Sequence, residues 1–210
     1  MPPAHQAAIP ASLQDKTSQW FNRASAALLG QLPCKAGCCH CCIGPFPITL
    51  LDYRHLREGL SRLPKDQRLA VHQQAVRQVA SMEAAFPQLH ASPFLDTWPD
   101  ALIDRLVETF HDLPCPALDG EGRCLAYESR PLVCRSMGIP TEQGDTVTGA
   151  CVIQTAVPIV RLPATIRAEE QHLAEEEART LAELQSRFEG TGEELLLTYG
   201  FLPKPIAPEI

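Results

Sequence analysis

Cys38-Cys39-His40-Cys41-Cys42, with Cys34 four residues upstream, places five cysteines within nine residues. The other four of the chain's nine cysteines, Cys115, Cys124, Cys134 and Cys151, fall in one later segment. Thiols that serve only packing are scattered singly on apolar faces, so two tight groups point to chemistry. Thiolate is the ligand that tetrahedral zinc and iron–sulfur clusters take, four to a site. The spacing Cys38-x2-Cys41 lets two thiolates of one loop converge on an ion, and Cys34-x3-Cys38 comes close to it. The later segment, spaced x8, x9 and x16, supplies the distant set that closes a site. Neighbouring side chains of an extended loop point to opposite sides. The doublet Cys41-Cys42 therefore suits two adjacent metals or a polynuclear cluster better than one small ion. Setting one cysteine aside leaves eight, enough for two four-thiolate sites.

The chain has 210 residues, a formal net charge of −7 and 45% hydrophobic residues, a length and composition that suit one domain with a sizeable core. An acidic balance argues against binding a nucleic-acid backbone, which needs clustered Lys and Arg. No uncharged stretch reaches the roughly 18–20 apolar residues of a membrane span. The first twenty residues lack the basic start, apolar run and small-residue cleavage site of a signal peptide. The expected compartment is the reducing cytoplasm, where thiols stay reduced. The odd number of cysteines also argues against a full disulfide framework, and nine in 210 is well below the roughly 8–10% of a disulfide scaffold.

The expected organisation is a flexible N-terminal tail over 1–10, a single cysteine-rich metal-binding domain over 11–200 and a proline-containing tail over 201–210. The motif region spans 34–151 and the C-terminal helices 164–200. A helix over 12–29 carries Trp20, Phe21, Ala24, Ala27 and Leu28 on one face. Pro33, Gly37, Gly44, Pro45 and Pro47 exclude regular structure from the loop over 31–48. Thr49 caps the next helix, with Asp52 at capping-box spacing. Pro64 opens a third helix over 65–86 with Leu69, Val76, Val79 and Phe86 at helical spacing. After a connection over 87–99, a short helix over 100–111 aligns Leu102, Ile103, Leu106, Val107 and Phe110.

Asp119-Gly120-Glu121-Gly122 is a turn signal between segments 115–118 and 123–127, which are spaced to pair as a short hairpin. Ser129-Arg130-Pro131 breaks the chain again, since a residue before proline avoids the helical region. The stretch over 147–160 is β-rich. A charged helix over 164–189 turns Leu173, Leu181, Leu184 and Phe188 inward, and a last helix covers 193–199. The fold class is mainly α with a few short β-strands: irregular cysteine-rich loops face each other on a helical scaffold around a metal centre.

Cys38-Cys39-His40-Cys41-Cys42 is followed by Cys115-Pro116-Ala117-Leu118 and then by Gly122-Arg123-Cys124-Leu125-Ala126-Tyr127-Glu128-Ser129-Arg130-Pro131-Leu132-Val133-Cys134-Arg135, with Cys151 beyond. This series resembles the YkgJ-like family, the CxxCxxCC domain described as zinc- or iron-chelating, over roughly 34–151. Two departures stand out: the first gap is x3 where the family usually has x2, and Cys39 stands where the family usually has glycine. The resemblance implies metal chelation and no settled reaction.

With the spacing, it gives Cys34, Cys38, Cys41, Cys42, Cys115, Cys124, Cys134 and Cys151 as candidate ligands and Cys39 as the spare thiol. The metal is zinc or iron, the iron alone or in an iron–sulfur cluster. His40 reads either as a replacement ligand or as an exposed loop histidine. Arg130 and Arg135 flank Cys134, where guanidinium groups lower thiol pKa values. Tyr127 and Glu128 read equally as partners of the site or as ordinary core and surface contacts. His111 is expected at a helix C-terminus, and His55, His72, His90 and His172 on the surface.

Three function classes remain open. The first is a cytoplasmic metal-binding protein whose partner is the metal ion. The second is a redox or metal-dependent enzyme using that centre, and the third a partner-binding module with a structural metal. Enzymatic activity is left undecided, since the chain holds no phosphate-binding glycine loop, GxSxG elbow, HExxH helix or dinucleotide fingerprint. Cys38-x2-Cys41 also fits a redox dithiol, but no βαβ pattern follows it. The sequence names no protein partner.

Overall fold

The computed structural model describes residues 11–28, 32, 37–139, 141–143, 146–148, 162–187 and 192–206. Cys34, Cys151, the N-terminal tail 1–10, Phe188 and most of the β-rich stretch (149–160) lie outside them.

The first helix, α1 (Leu13–Ala27), opens with a complete capping box. Ser12 Oγ accepts from the Asp15 N–H at 3.1 Å, and the Asp15 carboxylate accepts from the Ser12 N–H. Helix α2 (Leu50–Arg62) starts where the sequence places it, with Thr49 Oγ1 accepting from the Asp52 N–H at 3.2 Å. Here the box is not completed. The Asp52 carboxylate reaches instead to the backbone N–H of Leu132, 80 residues on, at 2.8 Å.

Helix α3 (Lys65–Ala85) has close to the expected bounds, and of the four apolar residues read at helical spacing Val79 and Phe86 are buried. Val71, Ala75, Gln78, Val79 and Met82 are buried, whereas Leu69 is 53% and Val76 46% exposed. At 3.6 residues per turn these two lie beyond the edge of the buried set, turned away from its centre. A one-turn helix α4 (Gln88–Ala91) interrupts the 87–99 connection, and α5 (Asp100–Thr109) buries Leu106.

The loop over 31–48 is more regular than its prolines imply. His40–Cys42 forms a 3-10 turn, and β1 (Pro47–Thr49) pairs antiparallel with β4 (Glu194–Leu196), Ile48 opposite Leu195. Pro47 is the first residue of its strand, a position where a missing N–H is tolerated. The last helix is correspondingly shorter than the sequence pattern indicates: 194–196 is extended and only α8 (Leu197–Gly200) coils. Its backbone groups are claimed from outside. The Leu95 N–H donates to Glu194 O at 2.9 Å, and the Leu197 N–H donates to Phe46 O at 3.0 Å. Tertiary pairing overrides local preference.

Between these elements, a 3-10 turn (Tyr127–Ser129) leads into α6 (Leu132–Ser136), a helix where only a chain break is legible in sequence. β2 (Thr141–Gln143) and β3 (Thr146–Thr148) form a second antiparallel pair, and α7 (Ala164–Gln185) buries Leu181 and Leu184.

Two apolar clusters hold the fold. The larger joins Leu56 and Leu60 of α2, Met82 of α3, Leu106 of α5, Leu195, Leu196 and Phe201. The smaller joins Trp20, Ala24, Leu28, Ile139 and Leu162, and the Trp20 indole N–H donates to Ile166 O at 3.0 Å. Helix α1 lies along α7, with Lys16 paired to Glu176 at 2.7 Å and Arg23 to Glu169. The fold is therefore mainly α with short antiparallel strand pairs, as expected. No described helix is long and apolar enough to cross a membrane.

Candidate metal centre

Two backbone hydrogen bonds clasp the cysteine loops together. The Cys115 N–H donates to Cys42 O and the Gly44 N–H to Leu113 O, both at 2.7 Å, around an antiparallel bridge between Ile43 and Pro114. Gly44 makes this approach feasible: its φ is +89°, and a Cβ there would lie 3.3 Å from His111 O. The second loop closes at Gly122, whose φ is +77°. Asp119 organises that turn, its Oδ1 accepting from the N–H groups of Glu121 (2.9 Å) and Arg123 (2.8 Å). The hairpin read from the sequence survives as a single bridge between Leu118 and Cys124, with the Leu125 N–H donating to Ala117 O at 2.8 Å. From there the 3-10 turn and α6 carry the chain to Cys134.

A cavity of about 360 Å³ lies between the loops, and Cys38, Cys41, Cys42, Cys115, Cys124 and Cys134 all line it. Phe46, Leu56, Leu197 and Phe201 give it an apolar wall, and Tyr127 and Arg130 stand on the remaining side. The six thiols are free. Cys39 is not among the lining residues; its Sγ rests against the Gly122 turn, 3.6 Å from where a Cβ on that glycine would sit. His40 is exposed. Among the described residues no three His, Cys, Asp or Glu side chains are already gathered closely enough to hold an ion. The thiols surround the cavity without converging on a point in it. A second cavity of about 570 Å³ shares Cys38, Cys41, Tyr127, Arg130 and Cys134 with the first and continues toward Asp15, Ser18 and Asn22 of α1.

Acidity differs sharply among Cys41, Cys42, Cys115, Cys124 and Cys134. Cys41 is lowered to about 6, first by its hydrogen bond with Cys42, with the Arg130 guanidinium adding to the effect. The same hydrogen bond, together with burial, drives Cys42 far up. Burial pushes Cys115 up to about 12 and also raises Cys124 and Cys134, and the charges of neighbouring thiolates add to each rise. The Cys41 thiolate thus opposes ionisation of Cys42, Cys115, Cys124 and Cys134.

The two arginines divide their work in a way the sequence does not indicate. Arg130 stacks on the Tyr127 ring, 3.7 Å from its centroid, and donates from Nε to Tyr127 O at 3.1 Å. From there it favours the thiolate at Cys41 and at Cys124. Arg135 is a fastener instead. Its guanidinium donates to Arg130 O at 2.9 Å, to Ser18 Oγ of α1 at 2.8 Å and to Glu128 O. Cys134, which both arginines were expected to acidify, is raised because it is buried.

Among the histidines, His111 Nδ1 lies 2.8 Å from Glu108 O in the last turn of α5, as expected. His72 departs from its surface reading: it is half-buried, with Nδ1 2.7 Å from Phe201 O. His55 is likewise half-buried, its protonation disfavoured first by burial. Sequence reasoning also missed Asp52 as a buried carboxyl. It is 1% exposed and pushed up to about 7, burial being the main cause. Its signal in the sequence, a helix-start spacing, pointed to a local partner and not to the start of a distant helix.

Fold and site together define a helical domain with a cysteine-lined cavity. Residues 33–152 match the family described as “CxxCxxCC: Putative zinc- or iron-chelating domain”. That span covers more than half of the chain and contains all nine cysteines. The protein belongs to this family. No curated protein and no solved structure matches it.

Proposed function

We propose that the protein is a cytoplasmic chelator of zinc or iron, and that Cys38, Cys41, Cys42, Cys115, Cys124 and Cys134 hold the metal, joined by Cys34 and Cys151. The observation that carries this reading is that six thiols, three from the first cysteine loop and three from the distant segment 115–134, line one cavity of about 360 Å³. The donor set fits the group. Thiolate sulfur is the preferred ligand of zinc and of iron–sulfur clusters. Without a cation, burial and mutual repulsion hold most of these thiols protonated. A bound cation reverses that balance, so uptake releases protons and draws the loops together. Zinc held by four thiolates supplies structural closure, whereas an iron–sulfur cluster supplies a one-electron couple.

Metal analysis of anaerobically purified protein, with its visible spectrum, tests the reading. Zinc in a colourless protein, or iron with sulfur-to-iron charge-transfer absorption, supports it. A stably folded protein free of both contradicts it.

A second reading, a metal-dependent or redox enzyme, is favoured by the adjoining cavity of about 570 Å³, which reaches the same thiols from the α1 side. Catalytic zinc keeps three protein ligands and an open position. X-ray absorption showing a light ligand beside the sulfurs supports this reading, and four sulfurs per zinc count against it. The reading as a partner-binding module gains no support from α7, where no large apolar side chain stands exposed among the described residues.

A further inference from the structure

We infer that Asp52 is a positioning residue that seats Cys134 at the thiol cavity by holding the first N–H of α6; the metal role of Cys134 rests on the chelating reading above. Helix α6 has five residues, and a single helical turn does not hold itself together in water. Its N-cap is Pro131, which provides no capping side chain and has no N–H of its own. The first N–H of the helix, that of Leu132, is instead taken by Asp52 Oδ1 at 2.8 Å, and both residues are buried.

Asp52 is itself fixed. It stands in the first turn of the thirteen-residue α2, with its own N–H bound to Thr49 Oγ1 at 3.2 Å. A chain of contacts thus runs from Thr49 through Asp52 to Leu132, and Cys134 follows two residues later on the cavity side. Farther along α6, Arg135 ties the segment to α1 through Ser18. A buried carboxyl is unfavourable without a hydrogen-bonded partner, and the Leu132 N–H that this carboxyl accepts from lies in the segment that carries a candidate ligand.

Two substitutions separate the acceptor from the charge. Asp52→Leu removes both, whereas Asp52→Asn keeps an acceptor oxygen and removes only the charge. The readout is iodoacetamide alkylation of reduced, metal-free protein at neutral pH, resolved by cysteine through peptide mass spectrometry. Asp52→Leu is expected to speed alkylation of Cys134 about tenfold through local opening of α6, leaving Cys115 within about twofold of its original rate. Asp52→Asn is expected to restore the slow Cys134 rate.

An unchanged Cys134 rate in Asp52→Leu overturns the inference. So does equal acceleration of all six cavity cysteines, which marks general loosening, or an Asp52→Asn protein that behaves like Asp52→Leu. If Asp52→Leu does not fold, amide exchange in the unsubstituted protein decides. Leu132 opens its helix, so slow exchange of its N–H supports the Asp52 bond and exchange at the rate of a free helix start overturns it. None of these readouts needs bound metal, so a failure of chelation registers separately in metal analysis.

Discussion

Cys41 and Cys42 are adjacent in sequence and opposite in acidity, because one hydrogen bond between them stabilises the thiolate of the first and the thiol of the second. At pH 7, reduced and metal-free, Cys41 is therefore expected to alkylate before Cys42, Cys115 and Cys134, whose thiols are held protonated. Peptide-resolved alkylation rates check this order, and Cys115 reacting as fast as Cys41 contradicts it.

Asp52 gives a pH prediction whose sign follows from its environment. Burial raises its folded pKa to about 7, against about 3.9 for an unperturbed Asp. The folded protein therefore holds a proton that the unfolded chain releases between those values. This contribution to stability is complete below the lower value and lost as pH rises through the upper one, on the order of 4 kcal/mol at most. Asp52→Asn cannot ionise there. Urea unfolding of metal-free protein should find that the unsubstituted chain loses more stability between pH 4 and pH 8 than Asp52→Asn does. Parallel stability–pH curves contradict the assignment.

Helix α2 packs closely against the second cysteine loop. A Cβ at Gly59 would come within 2.0 Å of the Cβ and Oγ of Ser129, in the 3-10 turn between Cys124 and Cys134. Gly→Ala in an exposed helix stabilises by about 1 kcal/mol. Here overpacking reverses the sign, and Gly59→Ala is expected to destabilise by roughly 1–3 kcal/mol in chemical denaturation. A stabilised Gly59→Ala would mean that the α2 contact with this turn is loose.

The helices themselves were legible where the signal was local. Ser12 and Thr49 mark their starts through hydroxyls acting within three residues. Partner-dependent features were not legible. The apolar residues of α3 run around much of its circumference, and only packing against α8 and the larger core selects Val71, Ala75 and Met82 over Leu69 and Val76. Extension of 194–196 likewise depends on β1, a strand nearly 150 residues earlier in the chain. Thr49 offers a smaller check at this scale: Thr49→Ala removes a cap and is expected to cost about 1 kcal/mol.

At the scale of the whole molecule, the helices bring together two loops that neither element pattern nor composition relates. The larger apolar cluster includes Cys115 and Cys124 at its edge, so the wall of the cavity is continuous with the core. The gathering of Cys38, Cys41, Cys42, Cys115, Cys124 and Cys134 around one cavity was legible because their clustering is written in the sequence itself. The clasp between Cys42 and Cys115 and the fastening by Arg135 were not, because they involve backbone groups that every residue carries.

The central claim is that the thiols around this cavity act together on a metal. It is tested most directly by counting the thiols that a metal shields from alkylation when zinc is added to the reduced protein. The predicted result is protection of Cys38, Cys41, Cys42, Cys115, Cys124 and Cys134 together, with Cys39 still reactive. Alkylation of all nine cysteines at the same rates with and without zinc would contradict the account.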